Sequence, residues 1–94
     1  EDPFDAALRE LREETGLAPT ALTPLGDFVV NGNNGCGRAF LFQAQDCRFV
    51  GREPHDDLED IDVTLFDPDE LKMVMLARAV ASLPHAAAYG LATL

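Results

Sequence analysis

The pattern of apolar and polar positions predicts a helix at the start of the chain. Apolar side chains recur there at helical spacing and form one stripe, at Phe4, Leu8 and Leu11. Asp2 suits the N-cap, Pro3 suits the first helical position, and Gly16 suits the position just after a helix end. The helix is therefore predicted to run from Pro3 to Thr15.

The middle of the chain has the pattern of strands. Residues 17–24 are irregular and contain prolines, whereas residues 25–30 are typical of a strand. Residues 38–50 alternate well enough for a second, long strand. Because the segment between them, residues 31–37, is rich in Gly and Asn, the two strands are predicted to form a hairpin with a long loop.

The last third of the chain predicts a short strand followed by two helices. A polar, acidic loop over residues 51–60 leads into alternating apolar and polar positions at 61–66, which are typical of a short strand. Pro68 suits the first position of the next helix, and Ser82 is expected to cap the final helix. These elements predict one mixed α/β domain with about three strands and three helices.

The composition is that of a folded, acidic protein. Hydrophobic residues make up 47% of the chain, and 17 acidic against 7 basic residues give a net charge of −10. This charge argues against nucleic acid as a partner, because phosphate-backbone binding needs a basic surface. A nucleotide ligand stays compatible with it if metal ions mediate the contact.

The compartment is predicted from the apolar stretches and the cysteines. The most apolar stretch, residues 71–94, is interrupted by charged residues and a proline, so no membrane span is expected. Cys36 and Cys47 are too few for a disulfide scaffold. They favour two reduced thiols over a single bridge, and hence a cytoplasmic protein.

Three carboxylates share one face of the first helix. Glu10, Glu13 and Glu14 stand at i, i+3 and i+4, which places them within an arc of about 100°. Their spacing alone favours a solvated acidic face, in which Arg9 offsets part of the repulsion by pairing with Glu13. The alternative is a site where carboxylate oxygens bind Mg²⁺ or Mn²⁺, which in turn binds substrate phosphates.

The residues around these carboxylates resemble the signature of the Nudix hydrolase family. Residues 9–17 read R-E-U-x-E-E-x-G-U, where U is a bulky aliphatic residue, and this is the second half of the Nudix box. Glu1 stands eight positions before Arg9, at the place of the earlier Glu of the box, whereas the leading Gly of the box would precede residue 1. The match favours the catalytic metal site over the solvated acidic face.

The resemblance implies an enzyme and a mechanism. Nudix enzymes hydrolyse a nucleoside diphosphate linked to another moiety, with a divalent cation that is usually Mg²⁺. By position, Glu10, Glu13 and Glu14 would bind the metal, and Glu13 or Glu14 would also polarise the attacking water. Arg9 would hold a box carboxylate in place through an ion pair.

Beyond the box, the order of the elements is similar to that of the ADP-ribose pyrophosphatase branch. In that branch an acidic residue on the loop before the last strand often assists catalysis. The matching residues here are Asp57 and Glu59, as a base or an extra metal contact, although a solvated acidic loop explains them equally well. The implied substrate is a small nucleotide such as ADP-ribose or another nucleotide sugar.

The resemblance implies the family fold, a mixed sheet between helices. That fold has several strands before the box helix, and those strands would precede residue 1. Residues 1–94 are therefore expected to be the C-terminal part of a single, N-terminally truncated Nudix domain with a partial Nudix fold. An exposed sheet edge would favour pairing with a second copy as a homodimer. The alternative functions are a non-catalytic Nudix-like nucleotide-binding or regulatory module, inactive through truncation, and a generic acidic interaction domain.

Overall fold

The computed structural model describes residues 1–31, 36–52 and 62–94, apart from the side chains of Asn31 and Cys36. Within these residues the chain forms three helices and four strands, which confirms the predicted mixed α/β class. In chain order they are α1 Pro3–Thr15, β1 Leu17–Ala18, β2 Ala21–Asn31, β3 Cys36–Gln45, β4 Arg48–Phe49, α2 Pro68–Leu76 and α3 Leu83–Ala92.

Helix α1 begins and ends at the predicted residues. The side chain of Asp2 accepts a hydrogen bond from the backbone N–H of Phe4 at 3.0 Å, which caps the N-terminus. Gly16 adopts a left-handed conformation with φ +76°, and its N–H donates to the carbonyl oxygen of Arg12 at 2.8 Å. The helix therefore ends in an αL turn, for which glycine is the favoured residue.

The four strands form two small sheets. β1 pairs antiparallel with β4, with Leu17 opposite Phe49 and Ala18 opposite Arg48. β2 pairs with β3, and only residues 32–35 connect them. Because a parallel pair needs a crossover of about a dozen residues or more, this second pair is the predicted antiparallel hairpin.

The strand boundaries differ from the prediction at both ends of the hairpin. β2 begins at Ala21 and contains Pro24, inside the segment that was expected to be irregular. In a two-stranded sheet each strand has an unpaired edge, and a proline is tolerated there. The predicted long second strand is interrupted at Asp46, where φ is +51°, so that β3 ends at Gln45 and β4 is a separate strand.

The short strand predicted over residues 61–66 was wrong for the part that the structure describes. Residues 62–66 have no regular secondary structure, and Ile61 lies outside the described residues. Val63, Leu65 and Phe66 are exposed, Leu65 by 85%. An alternating pattern needs a neighbouring strand before it becomes a β-strand, and these residues do not pair with one.

Both C-terminal helices form. The carboxylate of Asp67 accepts from the backbone N–H of Glu70 at 2.8 Å, and the Glu70 carboxylate accepts from the Asp67 N–H at 3.1 Å. This capping box begins α2 and holds the pKa of Asp67 below its usual range, mainly through the Glu70 N–H. Ser82 is the residue before α3 as predicted, but its side chain makes no capping hydrogen bond.

The chain divides into two compact units, Glu1–Pro24 with Phe42–Val63, and Leu25–Leu41 with Thr64–Leu94. The first contains α1 and the β1–β4 sheet, and the second contains α2 and α3. Among the described residues Gly16 alone is buried, and none of their hydrophobic side chains is. The apolar side chains of the described residues are therefore half-buried at most.

Two structural observations concern the cysteines and the possibility of a membrane span. The thiol of Cys47 is free and exposed, whereas the side chain of Cys36 is not among those described. None of the helices in the described segments combines the length and the apolar character needed to cross a membrane.

Replacing Gly16 with alanine is expected to lower the free energy of unfolding by about 2 kcal/mol or more, measured by urea denaturation. An added Cβ would lie 2.6 Å from Cε2 of Phe49, and φ at this position is +76°. A left-handed conformation costs a residue with a side chain roughly 1–2 kcal/mol, and overpacking adds about 1–3 kcal/mol.

Two other glycines separate these contributions. Gly51→Ala meets no atom within 4 Å at φ +103°, so it should show the conformational cost alone. Gly90 lies inside α3 with open space around it, so Gly90→Ala should stabilise the helix by about 0.5–1 kcal/mol. Equal losses in Gly16→Ala and Gly90→Ala would contradict the role given to the Gly16 turn.

Candidate active site

The three predicted glutamates lie on the exposed side of α1. The side chain of Glu10 is 59% exposed and that of Glu13 is 40% exposed, and Glu14 is exposed as well. Leu8 and Leu11 are half-buried on the other side of the helix. The helical period thus separates a carboxylate face from an apolar face, as the spacing predicted.

Arg9 connects the carboxylates on this face. Its Nη2 lies 2.8 Å from Oε1 of Glu1, and its Nε lies 3.1 Å from Oε2 of the same carboxylate, so the contact is bidentate. Its Nη1 donates to Oε2 of Glu13 at 3.0 Å, and its Nη2 lies 3.7 Å from Oε1 of Glu10. One guanidinium therefore faces three carboxylates, an arrangement for which its planar fork of donors is suited.

These contacts change the proton affinities of the groups involved. The hydrogen bonds from Arg9 hold the pKa of the Glu1 carboxyl below its usual range and outweigh the opposing effect of desolvation. In return, hydrogen bonds to Glu1 and Glu13 raise the pKa of Arg9 further above its already high value. Both members of the Glu1–Arg9 pair are therefore charged at neutral pH.

Glu10, Glu13 and Glu14 do not converge on one point. Over residues 1–31, 36–52 and 62–94, no group of three His, Cys, Asp or Glu side chains is placed to hold a metal ion. Glu13 is directed to Arg9, and Glu14 makes no side-chain hydrogen bond or ion pair with other described residues. The donor set nevertheless fits a hard cation, since Mg²⁺ and Mn²⁺ prefer carboxylate oxygens. Such a cation would compete with Arg9 for the carboxylate of Glu13.

A cleft of about 520 Å³ lies beside Glu13 in the first unit. This volume is within the range of small-molecule sites, about 300–1,000 Å³. Its lining includes Leu8, Arg9, Arg12, Glu13, Ala18 and Pro19. The wall formed by Ala18 was missed in the sequence, because a two-residue strand such as β1 leaves no detectable pattern.

Two candidate residues from the sequence are not among those that the structure describes. Asp57 and Glu59 lie outside the described residues. Arg52 was not a candidate, yet its Nε donates to the carbonyl oxygen of Glu13 at 3.2 Å, across 39 residues of chain. No periodicity or motif in the sequence connects Arg52 to α1, so only the fold reveals this contact.

Comparison with the models of known protein families gives a match over most of the chain. The model of the NUDIX domain family matches residues 1–87, which is nearly the whole chain and includes all of α1 and Arg52. Neither the curated proteins nor the solved structures gave a significant match.

The Glu1 carboxyl should titrate at a lower pH than an ordinary glutamate in a ¹³C NMR titration. Arg9→Gln should raise its pKa towards the usual value of a free glutamate, because the hydrogen bonds that lower it are lost. Since the pKa is lowered in the folded state, the pair stabilises the fold above this usual value. That contribution is lost as the pH falls through the lowered pKa.

Arg38→Gln is the matched control. Arg38 pairs with Asp27 on the β2–β3 hairpin, with 2.9 Å between Nη2 and Oδ2, and makes no contact with Glu1. An unchanged Glu1 titration in Arg9→Gln, or an equal change in Arg38→Gln, would contradict the assignment.

Proposed function

Because this chain belongs to the NUDIX domain family, we propose that it is a Mg²⁺-dependent hydrolase of nucleoside diphosphate-linked substrates. The family match supports pyrophosphohydrolase chemistry in general. The proposed substrates are ADP-ribose or another nucleotide sugar, cleaved at the diphosphate. The observation that carries the proposal is the carboxylate face of α1, with Arg9 bound to both Glu1 and Glu13.

The metal would be Mg²⁺ or Mn²⁺, with Glu10, Glu13 and Glu14 as its ligands. When bound, such a cation neutralises charge on phosphate oxygens and lowers the pKa of the attacking water. The hard oxygen donors of the three side chains and their shared exposed face support this choice.

The orientation of the carboxylates and the proton transfer are assigned to side chains of α1. Arg9 orients Glu13 by the contact at 3.0 Å and keeps Glu1 ionised. Glu14, which makes no hydrogen bond or ion pair with another described side chain, is more exposed than Glu13 and is the proposed proton acceptor. The water oxygen then bonds to one phosphorus, and the bridging P–O bond breaks. The products are a nucleoside monophosphate and the phosphorylated second moiety.

The cleft beside Glu13 is the proposed position of the substrate. The cleft combines Arg9 and Arg12 with the carboxylates of Asp5 and Glu13, which suits a diphosphate that binds through a divalent cation. Leu8, Ala18 and Pro19 supply an apolar surface that suits a base or a sugar face. Asp57 and Glu59 stay predicted as a base or an additional metal contact. The homodimer and the cytoplasmic location also stay predictions.

The second candidate function is a non-catalytic nucleotide-binding or regulatory module of the same family. It is favoured by the engagement of Glu13 with Arg9 and by the lack of a three-donor group among the described residues. The two functions differ in whether Mg²⁺ binding through the three glutamates leads to bond cleavage.

Hydrolysis of ADP-ribose and a small panel of nucleoside diphosphate conjugates should require Mg²⁺. Glu14→Gln should lower kcat by roughly 10²–10⁴-fold, because the proton acceptor is lost. Release of the nucleoside monophosphate, followed by chromatography, is the measurement. Asp69→Asn is the matched control, since this exposed carboxylate lies in the first turn of α2.

Each outcome separates the candidate functions. Cleavage that is lost in Glu14→Gln and kept in Asp69→Asn supports the hydrolase. Nucleotide and Mg²⁺ binding without cleavage supports the binding module. If Gln at positions 10, 13 and 14 stabilised the fold and left Mg²⁺ affinity unchanged, the glutamates would be a solvated acidic face and both functions would be contradicted.

A further inference from the structure

The end of α1 leaves the carbonyl group of Glu13 without its usual partner. In a continuing helix the N–H of Leu17 would donate to this oxygen. Here that N–H donates to Oγ1 of Thr15 at 3.2 Å, because Gly16 turns the chain out of the helix. Arg52 supplies the missing donor, with its Nε 3.2 Å from the Glu13 oxygen.

The approach of Arg52 is set by several contacts of residues 48–52 with the end of α1. β4 pairs with β1, and the N–H of Val50 donates to the carbonyl oxygen of Gly16 at 2.8 Å. The ring of Phe49 and the backbone nitrogen of Arg52 both lie close to Gly16, within 2.6 Å and 3.2 Å of the position that a Cβ would take there. These backbone contacts therefore place Arg52 beside the C-terminal end of α1.

The charge of Arg52 also matches its position. The C-terminal end of a helix carries a partial negative charge, which disfavours nearby carboxylates and favours cations. The last turn of α1 holds Glu13 and Glu14, with Arg12 as its basic residue. A guanidinium on the Glu13 carbonyl offsets the unfavourable placement of these two carboxylates.

From these contacts we propose that Arg52 is a positioning residue for the glutamates of the last turn of α1. By joining the Glu13 carbonyl to the segment that follows β4, it holds the backbone from which Glu13 and Glu14 project. It acts through α1 without touching the substrate. This inference rests on the proposed hydrolase function.

The test compares Arg52→Ala with Arg52→Lys and with Arg48→Ala as the matched control. Arg48 is an exposed arginine of β4 whose side chain makes no hydrogen bond or ion pair with other described residues, so its removal changes the charge equally. Arg52→Ala should lower kcat about tenfold, leave KM unchanged within about twofold, and raise the Mg²⁺ concentration for half-maximal activity. Arg52→Lys should recover part of kcat, since an ammonium can donate to the same carbonyl.

A second measurement does not depend on turnover. Amide hydrogen exchange at Gly16 and Leu17 should accelerate in Arg52→Ala and stay unchanged in Arg48→Ala. Titration with Mg²⁺ alone, followed by NMR of the Glu13 and Glu14 amides, should give a higher dissociation constant in Arg52→Ala.

The outcomes distinguish a failure of this inference from a failure of the proposed function. Equal effects of Arg48→Ala and Arg52→Ala would overturn it in favour of net charge, and a raised KM with unchanged kcat would overturn it in favour of substrate binding. If the unaltered protein cleaves no substrate, the proposed function fails. Unchanged exchange and unchanged Mg²⁺ binding in Arg52→Ala would then overturn the positioning role separately.

Discussion

The backbone of Gly16 lies against the ring of Phe49, with room for a hydrogen atom but none for a methyl group. This contact brings the end of α1 onto β4, and it holds the one buried residue among those the structure describes. The β1–β4 pairing starts at the next residue, Leu17, and the cleft beside Glu13 has Ala18 of β1 in its wall. The geometry of the candidate site therefore depends on a close approach that only glycine permits.

Arg9 decides how the carboxylates of α1 are arranged. Like charges at helical spacing repel one another. Four acidic side chains lie within or next to one face of α1, namely those of Glu1, Glu10, Glu13 and Glu14. Exposed ion pairs add little stability, so the importance of Arg9 lies in the orientation of Glu1 and Glu13. The same contact opposes metal binding at Glu13. A cation can bind there only if its interaction with the Glu13 carboxylate is more favourable than the ion pair with the Arg9 guanidinium.

Features that depend on near neighbours in the chain were predicted correctly from the sequence. The bounds of α1 follow from Asp2 and Gly16, which act on backbone groups within a few residues. The start of α2 follows likewise from Asp67 and Pro68. The spacing within residues 9–17 identified the family, which the match over residues 1–87 confirms. The ADP-ribose pyrophosphatase branch stays a prediction, because its pattern contains few specific residues.

Features that depend on distant partners were decided by the tertiary structure. β1 and β4 are two residues each and exist because they pair with each other, and the break at Asp46 separates β4 from the strand predicted to include it. The alternation at residues 62–66 formed no strand. Alternating apolar and polar residues define an apolar face, but a strand also needs a neighbouring strand to pair with. The contact of Arg52 with Glu13 joins residues 39 apart. The sequence by itself thus determined the helices, the family and the position of the carboxylates, because local hydrogen bonds and helical period set them. The fold alone decided which residues meet the end of α1, because that depends on how distant segments pair.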